Sequence, residues 1–201
     1  MTAYFEKQEE KEINRRIAAD IRRYGKDIIG SDIFRRSFCQ KHHTNMTVGE
    51  HTLNVTASAL RICYRLQKAG LEPDLGAVTV GALCHDLGIL GRDHKFQSTI
   101  ACWKLHPADS VKVTKQLVPG LDKKTEEIIR RHMWPLTPAI PDSLEACILV
   151  AADKYSSMRE LFYRPGMPLL RHETAGMIVY ALIGGSAAYD QDDRRISRAG
   201  P

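Results

Sequence analysis

Ala82-Leu83-Cys84-His85-Asp86-Leu87-Gly88 is the stretch that decides how this chain reads. Apolar positions at Leu75, Val78 and Ala82 recur at helical spacing, and the same period lands on His85 and Asp86. An imidazole and a carboxylate therefore fall on the stripe expected to face the core. A buried carboxylate needs a partner. Two readings explain the pair: a histidine and an aspartate that hydrogen-bond each other at the core edge, or ligands of a metal ion held between this helix and its neighbours.

Working outward, Pro73 and Asp74 open this helix and Leu87-Gly88 closes it. Upstream, Thr47 and Glu50 have the Ser/Thr-x-x-Glu form of a capping box, so a helix starts there. Its stripe is Val48, Thr52, Val55, Ala59, Ile62 and Leu66, with His51 on its border one turn in; Ala69-Gly70 is its stop. Glu50, His42 and His43 read as outer partners, pocket-edge groups or plain surface. Downstream, the polar run Gly91-Arg92-Asp93-His94-Lys95 suits a loop lining an active site, and equally a solvated turn.

His106-Pro107 predicts a helix with proline at its first position and Asp109 in its first turn, putting His106 at the N-terminal mouth. Pro119-Gly120 ends it. Thr125 to His132 is the next helix, with Ile128, Ile129 and His132 on one side, and the proline-rich run Met133 to Pro138 breaks it. A long helix starts near Asp142 or Ser143. Its stripe Ala146, Leu149, Val150 leads to Asp153, a second inward carboxylate. A last apolar helix covers about Thr174 to Ile183.

The N-terminal part, residues 6 to 24, is highly charged but repeats Ile13, Ile17, Ile21 and Tyr24 on one narrow helical face. Gly25 and Gly30 bracket a break before a short helix to about Phe38. The fold class is all-α: a single helical bundle over 40–162, an N-terminal helical extension over 1–39, a C-terminal helical segment over 163–189 and a disordered tail over 190–201.

The totals exclude several functions. At 201 residues, 43% hydrophobic and 26% charged, the chain suits one soluble domain with a sizeable core. The net charge of +5 is dispersed, with no basic stripe interleaved with aromatics, so no nucleic-acid partner is expected. No apolar run is long enough to span a membrane and the charged N-terminus has no signal-peptide core, so the expected address is cytoplasmic. Cys39, Cys63, Cys84, Cys102 and Cys147 lack paired spacing and read as reduced, packed thiols. An oligomer could form through the N-terminal helix, with nothing else in the sequence to support one.

Six inward or helix-terminal groups accumulate: His51, His85, Asp86, His106, His132 and Asp153. Each unpaired buried polar group costs on the order of 1–3 kcal/mol, and a metal offsets that cost for all of them together. Mixed imidazole and carboxylate ligands favour Fe, Mn, Ni, Co or Zn, and the absence of cysteine ligands argues against a structural zinc. Four ligands hold one ion; six with a shared carboxylate suit two ions roughly 3.5–4 Å apart.

This pattern resembles the HD-domain superfamily of metal-dependent phosphohydrolases. His51, His85-Asp86 and Asp153 match its defining ligands, and His106 and His132 the extra positions of two-metal members. The flanking strings Thr47-Val48-Gly49-Glu50-His51, His85-Asp86-Leu87-Gly88 and Ala152-Asp153-Lys154 are similar too. His132-Met133-Trp134-Pro135-Leu136-Thr137-Pro138 resembles a bacterial subgroup of unassigned substrate. Members acting on cyclic di-GMP carry Gly-Tyr-Pro after the last histidine; Trp134-Pro135-Leu136 stands here, against that substrate.

The resemblance implies hydrolysis of a small phosphoester, such as a nucleotide, by metal-activated water, with Asp86 and His85 catalytic and Asp86 the bridge. Lys95, His94, Arg130 and Lys154 are the candidate substrate-binding groups, with Lys104 and Arg131 near them in sequence. The same ligand set also supports a di-iron oxygenase, and the fold a non-catalytic nucleotide-binding regulatory module.

Overall fold

Nine α-helices run through the residues described by the computed structural model, which are 2–42, 46–161 and 173–184. They are α1 (Thr2–Gly30), α2 (Asp32–Arg36), α3 (Val48–Lys68), α4 (Leu75–Cys84), α5 (Arg92–Lys95), α6 (Thr99–Leu117), α7 (Lys123–Arg131), α8 (Leu144–Leu161) and α9 (Glu173–Leu182). Among the described residues there is no strand, only one antiparallel bridge between Lys41 and Thr47. The expectations for His43, for 163–172 and for the tail over 190–201 lie outside the described residues.

Helix α4 is the hub. The sequence suggested one inward stripe, yet Ala77, Val78, Thr79, Gly81, Ala82, Leu83 and Cys84 are all buried. A helix apolar all round belongs in a core, and α4 is packed by α1, α3, α7 and α8. One apolar cluster joins α4 to α1 through Leu83, Ile17, Ile21 and Ile28; a second joins it to α3 and α8 through Val78, Ala82, Val55 and Leu149. Each valine, leucine or isoleucine among them contributes about 1.5–3 kcal/mol when fully buried.

Gly25 does not break α1. A Cβ there would overlap Leu83 Cδ1, so the glycine is room for α4 rather than a stop. The cap signals were better guides, being local. Thr47 Oγ1 accepts from Glu50 N at 3.2 Å while Glu50 Oε2 accepts from Thr47 N at 2.8 Å, the reciprocal pair of a capping box. Asp74 caps α4, and Ser143 Oγ accepts from Ala146 N in the first turn of α8.

His106-Pro107 overturns the expected helix start. Ser98 caps α6, so Pro107 lies inside the helix, Asp109 is not in its first turn, and His106 is an interior residue rather than a helix mouth. A mid-helix proline costs about 3 kcal/mol; here Pro107 and His106 are both buried in contacts a sequence window does not contain. Two cysteines also depart from expectation: Cys39 and Cys147 are exposed, while Cys63, Cys84 and Cys102 are buried. No helix is long and apolar enough to cross a membrane among the described residues.

The end of α4 sets the geometry of the centre. His85 keeps helical dihedrals, but Asp86 has φ −109° and ψ 3° and a 3-10 turn follows over Leu87–Ile89. Asp86 is thus off the helix, its carboxylate turned across the bundle. That turn lies on α6 at Gly88, whose N–H donates to Ser110 Oγ at 2.9 Å and whose missing Cβ would overlap the His106 carbonyl and Ser110 N. Gly88→Ala forces backbone apart, so unfolding by denaturant should show a loss of about 1–3 kcal/mol. An unchanged midpoint would mean that the contact is looser than described.

Candidate metal centre

Four elements deliver imidazoles to one point, each by a local device. His51 is the fourth residue of α3, held inward by the Thr47 cap. His85 ends α4 and its Nδ1–H donates to Ala82 O at 2.8 Å. His106 Nδ1–H donates to Cys102 O at 2.8 Å, and His132, ending α7, donates to Ile129 O at 2.6 Å. An imidazole that gives its Nδ1 proton to a carbonyl presents a bare Nε2 on the other side, which is the metal-ligating tautomer.

Those Nε2 atoms converge on Asp86, and its two oxygens are divided between them. Oδ1 lies 3.1 Å from His106 Nε2 and 3.4 Å from His132 Nε2. Oδ2 lies 3.4 Å from His85 Nε2, 3.7 Å from His51 Nε2 and 3.0 Å from His42 Nε2. Asp153 closes the His51 side, its Oδ1 lying 3.2 Å from His51 Nε2 and 4.0 Å from His85 Nε2. The ligand atoms of His51, His85 and Asp86 lie within 4.8 Å of one another, as do those of Asp86, His106 and His132.

Two features show that this cluster fits a cation. His85 Nε2 is buried and makes no hydrogen bond. His106 Nε2 and His132 Nε2 approach to 2.9 Å although both rings already commit their Nδ1 protons elsewhere. With both rings neutral, lone pair faces lone pair, which a proton or a metal ion between them would relieve.

The electrostatics agree. Burial opposes charge on His51, but Glu160 and Asp153 outweigh it and lift the ring to about 10. Burial likewise opposes charge on His106, which Asp86 and Cys102 raise to about 9. His132 goes the other way, to about 4, because burial and the neighbouring His106 and His85 outweigh Asp86. Asp86 is held well below the usual carboxylate range despite its burial, by His85, His106, His132 and His42. Asp153 is held low against burial by His51 and Lys154. Carboxylates stay charged here, and protons occupy positions that cations would take.

A cavity of about 250 Å³ opens beside Asp86 and Asp153. Arg92 and Lys154 are its cations, Thr99 and Ser157 its hydroxyls, and Ile89, Trp103, Met133 and Leu136 its apolar wall. Lys154 Nζ donates to Asp153 Oδ2 at 2.7 Å.

Of the sequence candidates for substrate contact, Lys154 alone lines this cavity. Lys95 instead donates to Gly88 O and pairs with Asp109 at 2.9 Å, and His94 is exposed on α5. Arg130 pairs with Glu126 and Glu127 along α7, Arg131 with Glu127 and Asp142, and Lys104 is exposed on α6. Arg92, part of the polar run but not singled out, lines the cavity instead.

Two further groups join the centre. His42 is carried by the Lys41–Thr47 bridge, its N–H donating to Met46 O at 2.9 Å, and its ring stacks on His51 at 4.0 Å between centroids. Glu160 accepts from His51 Nδ1–H at 2.8 Å. A sequence signal for Glu160 existed: it falls seven residues after Asp153, two turns along the same face of α8.

The family model described as HD domain matches residues 48–158, from the first residue of α3 to the last turns of α8. No curated protein and no solved structure matches the chain. The matched span contains His51, His85, Asp86, His106, His132 and Asp153 and covers more than half of the sequence, so the chain belongs to the HD domain family, whose members are mostly metal-dependent phosphohydrolases.

Proposed function

We propose that this protein hydrolyses a phosphoester of a small phosphorylated metabolite at a centre where Asp86 would be shared between two divalent transition-metal ions. The supporting observation is the division of the Asp86 carboxylate, Oδ1 toward His106 and His132 and Oδ2 toward His51 and His85. His51, His85 and Asp153 would complete one position, His106 and His132 the other. The ions, drawn from Fe, Mn, Ni, Co or Zn, supply when bound a water of lowered pKa and Lewis-acid polarisation of phosphoryl oxygens.

The chain's own groups do the rest. Asp86 would orient the attacking water, with His85 beside it as a ligand of the same position. Arg92 and Lys154 face the cavity as donors for phosphate oxygens, where phosphoryl transfer needs positioning and charge stabilisation above all. A cavity of about 250 Å³ favours a compact substrate over a cyclic dinucleotide, in line with Trp134-Pro135-Leu136 where a Gly-Tyr-Pro motif would stand.

The test is elemental analysis of the purified chain beside a phosphoester panel (nucleoside monophosphates, sugar phosphates and p-nitrophenyl phosphate). Two ions per chain and phosphate release that chelation stops and added metal restores are expected. Full loading with no phosphate released from any ester would sink the hydrolase reading; oxygen uptake by the reduced iron form would put an oxygenase in its place.

A further inference from the structure

The two halves of the centre are not equivalent. On one side, His106 and His132 lean on neutral backbone carbonyls, and Asp86 Oδ1 is the carboxylate oxygen facing them. On the other, Asp86 Oδ2 and Asp153 Oδ1 both face the imidazoles of His51 and His85, and His51 gives its Nδ1 proton to a third carboxylate, Glu160. A buried acid calls for an explanation. Glu160 is 5% exposed, and among the described residues the ionisable groups within 4.0 Å of its carboxylate are His51 and His42. No lysine or arginine is in that shell among the described residues.

We propose that Glu160 is a positioning residue which fixes and strengthens His51 as a ligand, and thereby ranks the two metal positions. The position at His51, His85 and Asp153 fills first and releases its ion last. The position at His106 and His132 fills second and exchanges readily. This rests on the two-ion reading above and adds an order of filling to it. The physical reason is twofold. A cation on the His51 side is met by more negative charge, and an imidazole hydrogen-bonded to a carboxylate is a more basic ligand than one bonded to a carbonyl. Glu160 lies on α8 just beyond the residues matched by the family model.

Cobalt(II) added to the chelator-stripped full chain, followed by calorimetry and visible absorption, tests this. Wild type should bind in two steps. Glu160→Gln, which keeps an acceptor for the His51 proton but loses the charge, should weaken the tighter step about 10–100-fold and leave the weaker step nearly unchanged. His132→Ala should remove the weaker step and spare the tighter one. An equal loss in both steps, no loss in either, or a single wild-type affinity for both ions overturns the ranking. Three ions per chain would make Glu160 a direct ligand and overturn it as well. A single ion per chain would instead refute the two-ion reading, and Glu160→Gln on that one step would still decide the role of Glu160. Should that variant not fold, zinc-loaded wild type gives the answer by nitrogen-edited NMR. The His51 Nδ1–H must then resonate furthest downfield of the ligand imidazoles, and a position level with the other three overturns the proposal.

Discussion

Asp86→Asn is expected to leave the helical fold in place, lower the metal content from two ions per chain to one or none, and reduce phosphoester turnover by at least about a thousandfold. The replacement keeps the shape of the side chain. It exchanges one of two acceptor oxygens for an NH2 group, so either the His106–His132 pair or the His51–His85 pair meets a donor where it met an anion. Both ions would share this one side chain in the proposed arrangement, and among the described residues no other carboxylate lies within 4.0 Å of the His106 or His132 imidazole. Metal content by elemental analysis, circular dichroism and phosphate release together form the measurement. A variant that still carries two ions and turns over at the wild-type rate would remove Asp86 from the bridge.

The second large effect is the linkage between metal and protons. In the ion-free protein His51 and His106 are raised to about 10 and about 9, above the ordinary 6.5 of a histidine, and so are protonated at neutral pH. Both must be deprotonated to ligate, so loading the centre near neutral pH should release roughly two protons. Overall metal affinity then rises steeply with pH, on the order of a hundredfold per unit for the pair of ions, until the pH approaches those values. Calorimetry in two buffers of different ionisation enthalpy counts the protons directly, and a count of zero would contradict the charge arrangement described.

The same shifts fix how ion-free stability depends on pH. His51 and His106 have folded pKa values above their unfolded ones, so their contribution is complete below about pH 6.5 and is lost as the pH rises through about 9 to 10. Asp86 and Asp153 are depressed, so theirs is present above about pH 3.8 and is lost as the pH falls. His132, lowered to about 4, acts against the fold between about pH 6.5 and 4, because the unfolded chain takes up a proton the folded one refuses. Loading with metal should flatten the alkaline side of this profile.

Much of this was legible in the chain. The Thr47–Glu50 capping box and the caps at Asp74 and Ser143 involve partners three residues apart, so a short window holds the whole interaction. Inward polar residues at His51, His132 and Asp153 could be read because helical period carries them to the buried face. What the sequence misplaced depended on neighbours distant along the chain. Pro107 has the local look of a helix start, yet it lies within α6. Gly25 has the look of a break, and is a slot for Leu83 from another helix.

The centre itself divides along the same line. Sequence alone determined which side chains are present and that His51, His132 and Asp153 lie on inward helix faces, because composition and periodicity are properties of short segments. Only the tertiary structure decided that Asp86 turns its oxygens toward different histidines and that Glu160 holds His51. It also put Arg92, in place of Lys95 or Arg130, in the lining of the cavity. Those facts are distances between residues as much as 109 positions apart. They are set by how α3, α4, α6, α7 and α8 pack, a balance of apolar contacts spread over the whole bundle.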